Sequence, residues 1–229
     1  MTGHMAGHEA DTGAGRACRG QFRLGITGGI GSGKSHVARM LEERWGVPVY
    51  DCDREAKRIT AESRVVRQAL VSLVGDGLVR DGVMQKQALA AYLFASPDHA
   101  ARVNAIIHPH VRADFLRWAD SHSASPVVAI ESAILCESGF HTLVDAVMLV
   151  EAPVDVRLRR AMARDGATRE QVLARMARQD SAQARRLARF IVRNDGCGDG
   201  TLQAQLEQAV RALQAEAHTH QGDNRQTNP

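Results

Sequence analysis

Aromatic side chains are scarce, with Phe, Tyr and Trp together making up 4% of the 229 residues. Proteins that bind nucleic acid by base stacking interleave such rings with a marked basic excess, whereas 29 basic against 26 acidic side chains leave a formal charge of only +3. That class is therefore disfavoured. No apolar run approaches the roughly 18 uninterrupted residues of a membrane-spanning helix, so no membrane partner is expected. The Gly-, Ala- and His-rich residues 1–20 lack the basic start and apolar stretch of a secretion signal. They read as a loose extension, as does the polar, aperiodic stretch 218–229. Only four cysteines occur, Cys18, Cys52, Cys136 and Cys197, with no Cys-x-x-Cys spacing. Free thiols in a reducing, cytoplasmic setting are the expectation.

What is present is an ordinary globular composition, 44% hydrophobic and 24% charged. A chain of this length buries roughly 70% of its unfolded surface, enough for one domain (residues 21–217) without disulfides or a structural metal. Apolar runs at Phe22–Thr27, Val47–Tyr50, from Val127, at Ala146–Ala152 and at Phe190–Val192 read as five strands, and helical patterns separate them. That order predicts a three-layer α/β fold with a mostly parallel sheet. Its first β-α-β unit should be parallel and right-handed.

Between the second and third strands lies a helical pattern longer than a plain crossover, about residues 62–119, which we read as an insert able to cover a ligand. Its apolar stripes are Val65, Val66, Ala69, Leu70 and Leu73, then Leu89, Leu93 and Phe94, with Gly75, Gly77 and Gly82 as punctuation. Basic residues concentrate between Arg157 and Arg193. There a helix follows Pro153 to Asp165 and a second spans Arg169–Leu187. Leu202, Leu206, Val210 and Leu213 mark a closing amphipathic helix.

Chemistry is written most clearly at Gly28-Gly29-Ile30-Gly31-Ser32-Gly33-Lys34-Ser35, a full G-x-x-x-x-G-K-[ST] phosphate-binding loop (P-loop) after a strand and before a helix. Glycines let backbone N–H groups turn around phosphate oxygens, and the helix start adds its positive end. Lys34 would reach the β- and γ-phosphates, and the Ser35 hydroxyl would ligate Mg²⁺. Asp51 and Asp53 stand at the carboxyl end of the second strand, where ligands of open parallel sheets bind. Either one can orient an acceptor hydroxyl, hold metal-bound water or cap a helix.

LGITGGIGSGKSHVA followed by VPVYDCDREAK resembles the dephospho-CoA kinase family. So do DG at Asp81, ALAAYLF, VNAIIHPHV, AILCESGF, VMLVEAP, RLRRAMARD, Gln179 and FIVRNDG, in the family's order over residues 22–213. The resemblance implies a P-loop NTPase fold with a helical substrate-binding insert and a lid at about residues 154–188. It also implies phosphorylation of the ribose 3′-hydroxyl of dephospho-CoA by Mg-ATP, giving coenzyme A and ADP. By the same carry-over Asp53 is the base toward the hydroxyl and Arg160 and Arg164 are lid arginines that stabilise the transferred phosphoryl group. The loop with His36 and Asn194 holds ATP, and Lys86, His108 and Glu137 join Asp53 at the acceptor.

Alternatives stand beside several of these. His108 can equally pack or cap, or bind zinc with His110, although no third soft ligand is near in sequence. Glu137, with Glu131 and Ser132 upstream, faces the nucleotide or caps a short helix. Arg157, Arg159, Arg175 and Arg178 read as a solvated face or weak anion contacts. His36 replaces the family's usual Thr, Ala133 its Pro, and Lys86 its Arg, and a lysine cannot make a bidentate phosphate contact. The expected partners are small molecules only, with the chain a monomer or weak homo-oligomer. Another small-molecule P-loop kinase, and a nucleotide-binding interaction protein or basic nucleic-acid-binding module that uses the arginines as a surface, are the competing readings.

Overall fold

The computed structural model describes residues 21–223 other than 81, 178, 180 and 197. The readings at residues 1–20 and 224–229, Cys18, Asp81, Arg178 and Cys197 lie outside the described residues. In chain order the elements are β1 (Phe22–Thr27), α1 (Lys34–Trp45), β2 (Val49–Asp51), α2 (Cys52–Glu62), α3 (Arg64–Val74), β3 (Val79–Arg80), β4 (Val83–Met84), α4 (Lys86–Ala95) and α5 (Pro97–Ser121). They continue with β5 (Val127–Glu131), β6 (Ala146–Glu151), α6 (Val154–Asp165), α7 (Arg169–Met176), α8 (Ser181–Leu187), β7 (Ala188–Arg193) and α9 (Asp199–Asp223).

Five strands form one sheet in the order β2-β5-β1-β6-β7, every pair parallel. Side-chain alternation along each strand supplies two cores. Leu24, Ile26, Ala129, Met148 and Val150 face α1 and α9, while Val128, Ile130 and Val147 face α2, α3 and α5. The chain is thus an α/β sandwich of three layers. Parallel order brings the carboxyl ends of all five strands to one edge, which is where the phosphate loop, Asp51, Glu131 and Asn194 emerge.

Several elements depart from the sequence reading. The strands β1 and β2 are parallel but are not neighbours, because β5 inserts between them, and the order of a sheet is decided by strands that local pattern does not see. The helical insert contains an antiparallel hairpin, β3–β4, turned at Gly82 with φ 76°. Two-residue strands are too short to leave an alternation in the sequence. Val65 and Phe94 face solvent, at 63% and 79% exposure, while Val66 and Leu70 are buried. Adjacent helical positions lie about 100° apart, so Val65 cannot share the Val66 face. The helix expected over Arg169–Leu187 is broken into α7 and α8. At the other end, α9 runs to Asp223, into the stretch read as a tail, carried by a buried stripe ending at Ala217.

Candidate active site

The loop leaves β1 at Thr27 and becomes α1 at Lys34. Gly33 is the helix N-cap and takes a left-handed conformation (φ 88°), which glycine adopts without a steric penalty. The Ser32 N–H bonds to the Gly29 carbonyl at 3.0 Å and the Ile30 N–H to Gln179 Oε1 at 2.7 Å. Among the described residues no protein acceptor meets the N–H groups of Gly31, Gly33, Lys34 and Ser35. A helix start leaves such donors unpaired. Of the loop residues read as nucleotide contacts, Ile30 has its N–H held by Gln179 and its side chain packed with Leu158, Ala161 and Val172.

Glu131 ends β5 beside Asp51 of β2 and is buried. Lys34 Nζ lies 3.6 Å from Glu131 Oε1, and Ser35 Oγ donates to the same oxygen at 3.0 Å. Burial pushes the Glu131 carboxyl above its ordinary range, and the charges of Asp51 and Asp53 add to that. The Lys34 ammonium and the Ser35 hydrogen bond oppose it. Sequence reasoning mentioned Glu131 only as a neighbour of Glu137, and the structure reverses their weight. Glu137 sits exposed on the turn after β5, whereas Glu131 meets both motif side chains. A carboxylate closing an apolar strand was the available signal.

The basic segment presses on the loop from the other side. Arg160 Nη1 donates to the Asn194 carbonyl at 3.1 Å and its Nη2 to Asn194 Oδ1 at 3.0 Å. Asn194 Nδ2 in turn donates to the Ser32 carbonyl at 3.0 Å. Arg164 is paired with Asp165, which also accepts from Arg175, and lies within electrostatic range of Asp53. Arg157 corrects the expectation of a solvated face, since it is half-buried and its Nε donates to the Ile30 carbonyl at 3.0 Å. A cleft of about 500 Å³ opens there, lined by Gly29, Ser32, Pro153, Arg157, Gln179 and Arg193.

Asp51 Oδ1 accepts from the Arg54 N–H and caps α2, so β2 passes into the helix with no intervening loop and Asp53 falls in the exposed first turn. Its charge acts on both Glu131 and Arg164, so these three are brought together. The buried Tyr50 donates its hydroxyl to Asp114 Oδ2 at 2.8 Å, and Arg58 Nη2 donates to the same oxygen at 2.8 Å, which ties β2 and α2 to α5. His108 packs on the Phe140 ring, and burial holds its pKa below the ordinary value. His110 lines a separate cleft with Arg58 and Arg117. Lys86 is exposed at the start of α4 and makes no hydrogen bond or ion pair among the described residues. His36 lies in the first turn of α1, its N–H bonded to the Gly33 carbonyl.

Ser35 Oγ and the carboxylates of Glu131, Asp51 and Asp53 are hard oxygen donors, the set Mg²⁺ prefers. Among the described residues no three His, Cys, Asp or Glu side chains gather as an all-protein metal cage. That leaves room for an ion ligated in part by phosphate and water, and gives the His108–His110 zinc alternative no third ligand.

The dephospho-CoA kinase family model matches residues 22–199. The chain is 50% identical to a dephospho-CoA kinase of Porphyromonas gingivalis over 70% of its length and 79% of the relative's. It is 45% identical to that of Bacteroides fragilis over 76% of this chain and 85% of the other. Among solved structures, TT1252 from Thermus thermophilus superposes with a TM-score of 0.71 at 36% identity, covering 86% of this chain and 97% of that one.

Proposed function

Because the chain belongs to the dephospho-CoA kinase family, and so phosphorylates dephospho-CoA with ATP as donor in the formation of coenzyme A, we propose that the transfer takes place at the carboxyl edge of its sheet, between the phosphate loop and Asp53. One observation carries the reading: Lys34 Nζ and Ser35 Oγ converge on one oxygen of the buried Glu131. A lysine resting on that carboxylate is positioned to exchange it for the more highly charged donor phosphates.

In this reading the N–H groups of Gly31, Gly33, Lys34 and Ser35 cradle the phosphates, and Arg160 and Arg164 neutralise charge that spreads over the transferred phosphoryl oxygens. Ser35 and Glu131 would hold Mg²⁺, which would supply positive charge to offset that of the donor phosphates. Asp53 accepts a hydrogen bond from the ribose 3′-hydroxyl and lines its oxygen up with the γ-phosphorus. The O–H proton passes to Asp53 late, as the new P–O bond forms and the bond to the ADP oxygen breaks. A carboxylate is a weak base toward an alcohol, so orientation is its larger contribution.

The helical segment 62–119, with His108 and Lys86, receives the acceptor in this reading, and Glu137 lies at its rim. His36 and Asn194 flank the donor. The enzyme works in the cytoplasm, a reading supported by Cys52 and Cys136, neither of which is in a disulfide among the described residues. Among the described residues no helix is long and apolar enough to cross a membrane. The test is coupled ADP release from Mg-ATP with and without dephospho-CoA, with the product weighed. Acceptor-dependent turnover that adds one phosphate is expected, and ADP release indifferent to the acceptor would overturn the assignment.

A further inference from the structure

We propose that Arg157 at the start of α6 and Gln179 after α7 clamp the crown of the phosphate loop and thereby aim the Gly31 N–H at the transferred phosphate. The inference rests on the loop being the donor's phosphate cradle. Both peptide groups flanking Ile30 are held by these two side chains: the Ile30 N–H donates to Gln179 Oε1 at 2.7 Å, and Arg157 Nε donates to the Ile30 carbonyl at 3.0 Å.

A trans peptide is planar, with its C=O and the following N–H pointing in opposite directions. Holding the Ile30 carbonyl outward on Arg157 therefore turns the Gly31 N–H to the opposite side. Gly31 fits the same constraint, with φ 76° and its backbone so close to α6 that a Cβ would lie 2.2 Å from the Arg157 carbonyl. The Ile30 side chain completes the attachment by packing with Leu158, Ala161 and Val172 of α6 and α7. Without these holds, a segment with four glycines in six residues would sample many loop conformations.

Arg157 is an expensive residue to use for packing alone. Among the described residues no carboxylate pairs with it, and burial lowers its pKa. A half-buried cation left without a counter-ion is costly unless its site has a use for positive potential, and a phosphate loop has one. Arg157 and Gln179 are positioning residues in this scheme, since they act through the loop backbone and not on the reacting atoms.

The experiment compares the full-length chain with Gln179→Leu, which removes the acceptor, Gln179→Glu, which retains an Oε acceptor of the same shape, and Arg157→Met, which keeps the stem and loses the Nε donor. Each is measured for kcat of acceptor-dependent ADP release, for ADP affinity and for thermal midpoint. A donor aimed at the transferred group matters most in the transition state. Gln179→Leu and Arg157→Met should therefore lose about tenfold to 10²-fold in kcat while ADP affinity changes by less than about threefold, and Gln179→Glu should recover most of the loss.

Parental kcat in Gln179→Leu would overturn the clamp. So would a loss in which kcat, ADP affinity and thermal midpoint fall together and Gln179→Glu recovers none of it, the pattern of a packing role. A parent chain with no acceptor-dependent turnover would overturn the site reading and the clamp with it, so the two failures are told apart by the parent alone.

Discussion

At the residue scale the balance at Glu131 bears on the proposed site and on stability alike. Its carboxyl is raised mainly by burial, so the folded chain binds this proton more tightly than the unfolded chain. The sign follows by linkage: the folded state bears no penalty well below the ordinary carboxyl value of 4.5, and loses stability as pH rises from there through the raised value. Glu131→Gln keeps an acceptor for Ser35 and removes the charge. We expect the parent's loss of stability between acid and neutral pH to be smaller in this variant, as read by urea denaturation at both pH values. Its turnover should fall on the order of 10²-fold, because the group that organises Lys34 and Ser35 is gone. Lys34 and Ser35 were legible from spacing alone, since the motif dictates their role. Glu131 was not, because its partners lie 97 and 96 positions away and only folding brings β5 beside β1.

At the element scale, the placement of Asp53 depends on how α2 is anchored. The network of Tyr50, Arg58 and Asp114 joins it to α5, with Tyr50 wedged edge-on against the Phe115 and Trp118 rings. Asp114→Ala would strand the buried Tyr50 hydroxyl, a cost of about 1–3 kcal/mol that chemical denaturation would register. Helix existence and the closing stripe at Leu202, Leu206, Val210 and Leu213 were readable because 3.6-residue periodicity is strong in long segments. Arg157 was misread for the complementary reason. In sequence it is one of several arginines on a basic helix, and what separates it from Arg159 is that it faces Ile30, 127 residues earlier, while Arg159 pairs with Asp155 in solvent.

At the scale of the whole molecule, the proposed donor site draws on the phosphate loop, the β5 and β7 ends and the basic segment, so a nucleotide bound there would tie together parts far apart in the chain. Ligand that binds only the folded state should stabilise it, by about 2.7 kcal/mol at a hundredfold excess over Kd. We expect Mg-ADP to raise the thermal midpoint accordingly, and Lys34→Ala to abolish most of that shift at the same nucleotide concentration. The sheet order has a consequence for how the protein is made. The first strand of the sheet, β1, is its central one, and its two neighbours begin at Val127 and Ala146. A nascent chain holding the entire nucleotide motif therefore emerges from the ribosome with both edges of that strand bare, and about 90 further residues must be synthesised before β5 begins to cover either. Such non-local pairing folds slowly and exposes open strand edges meanwhile, so chaperone demand during synthesis follows from the position of one strand.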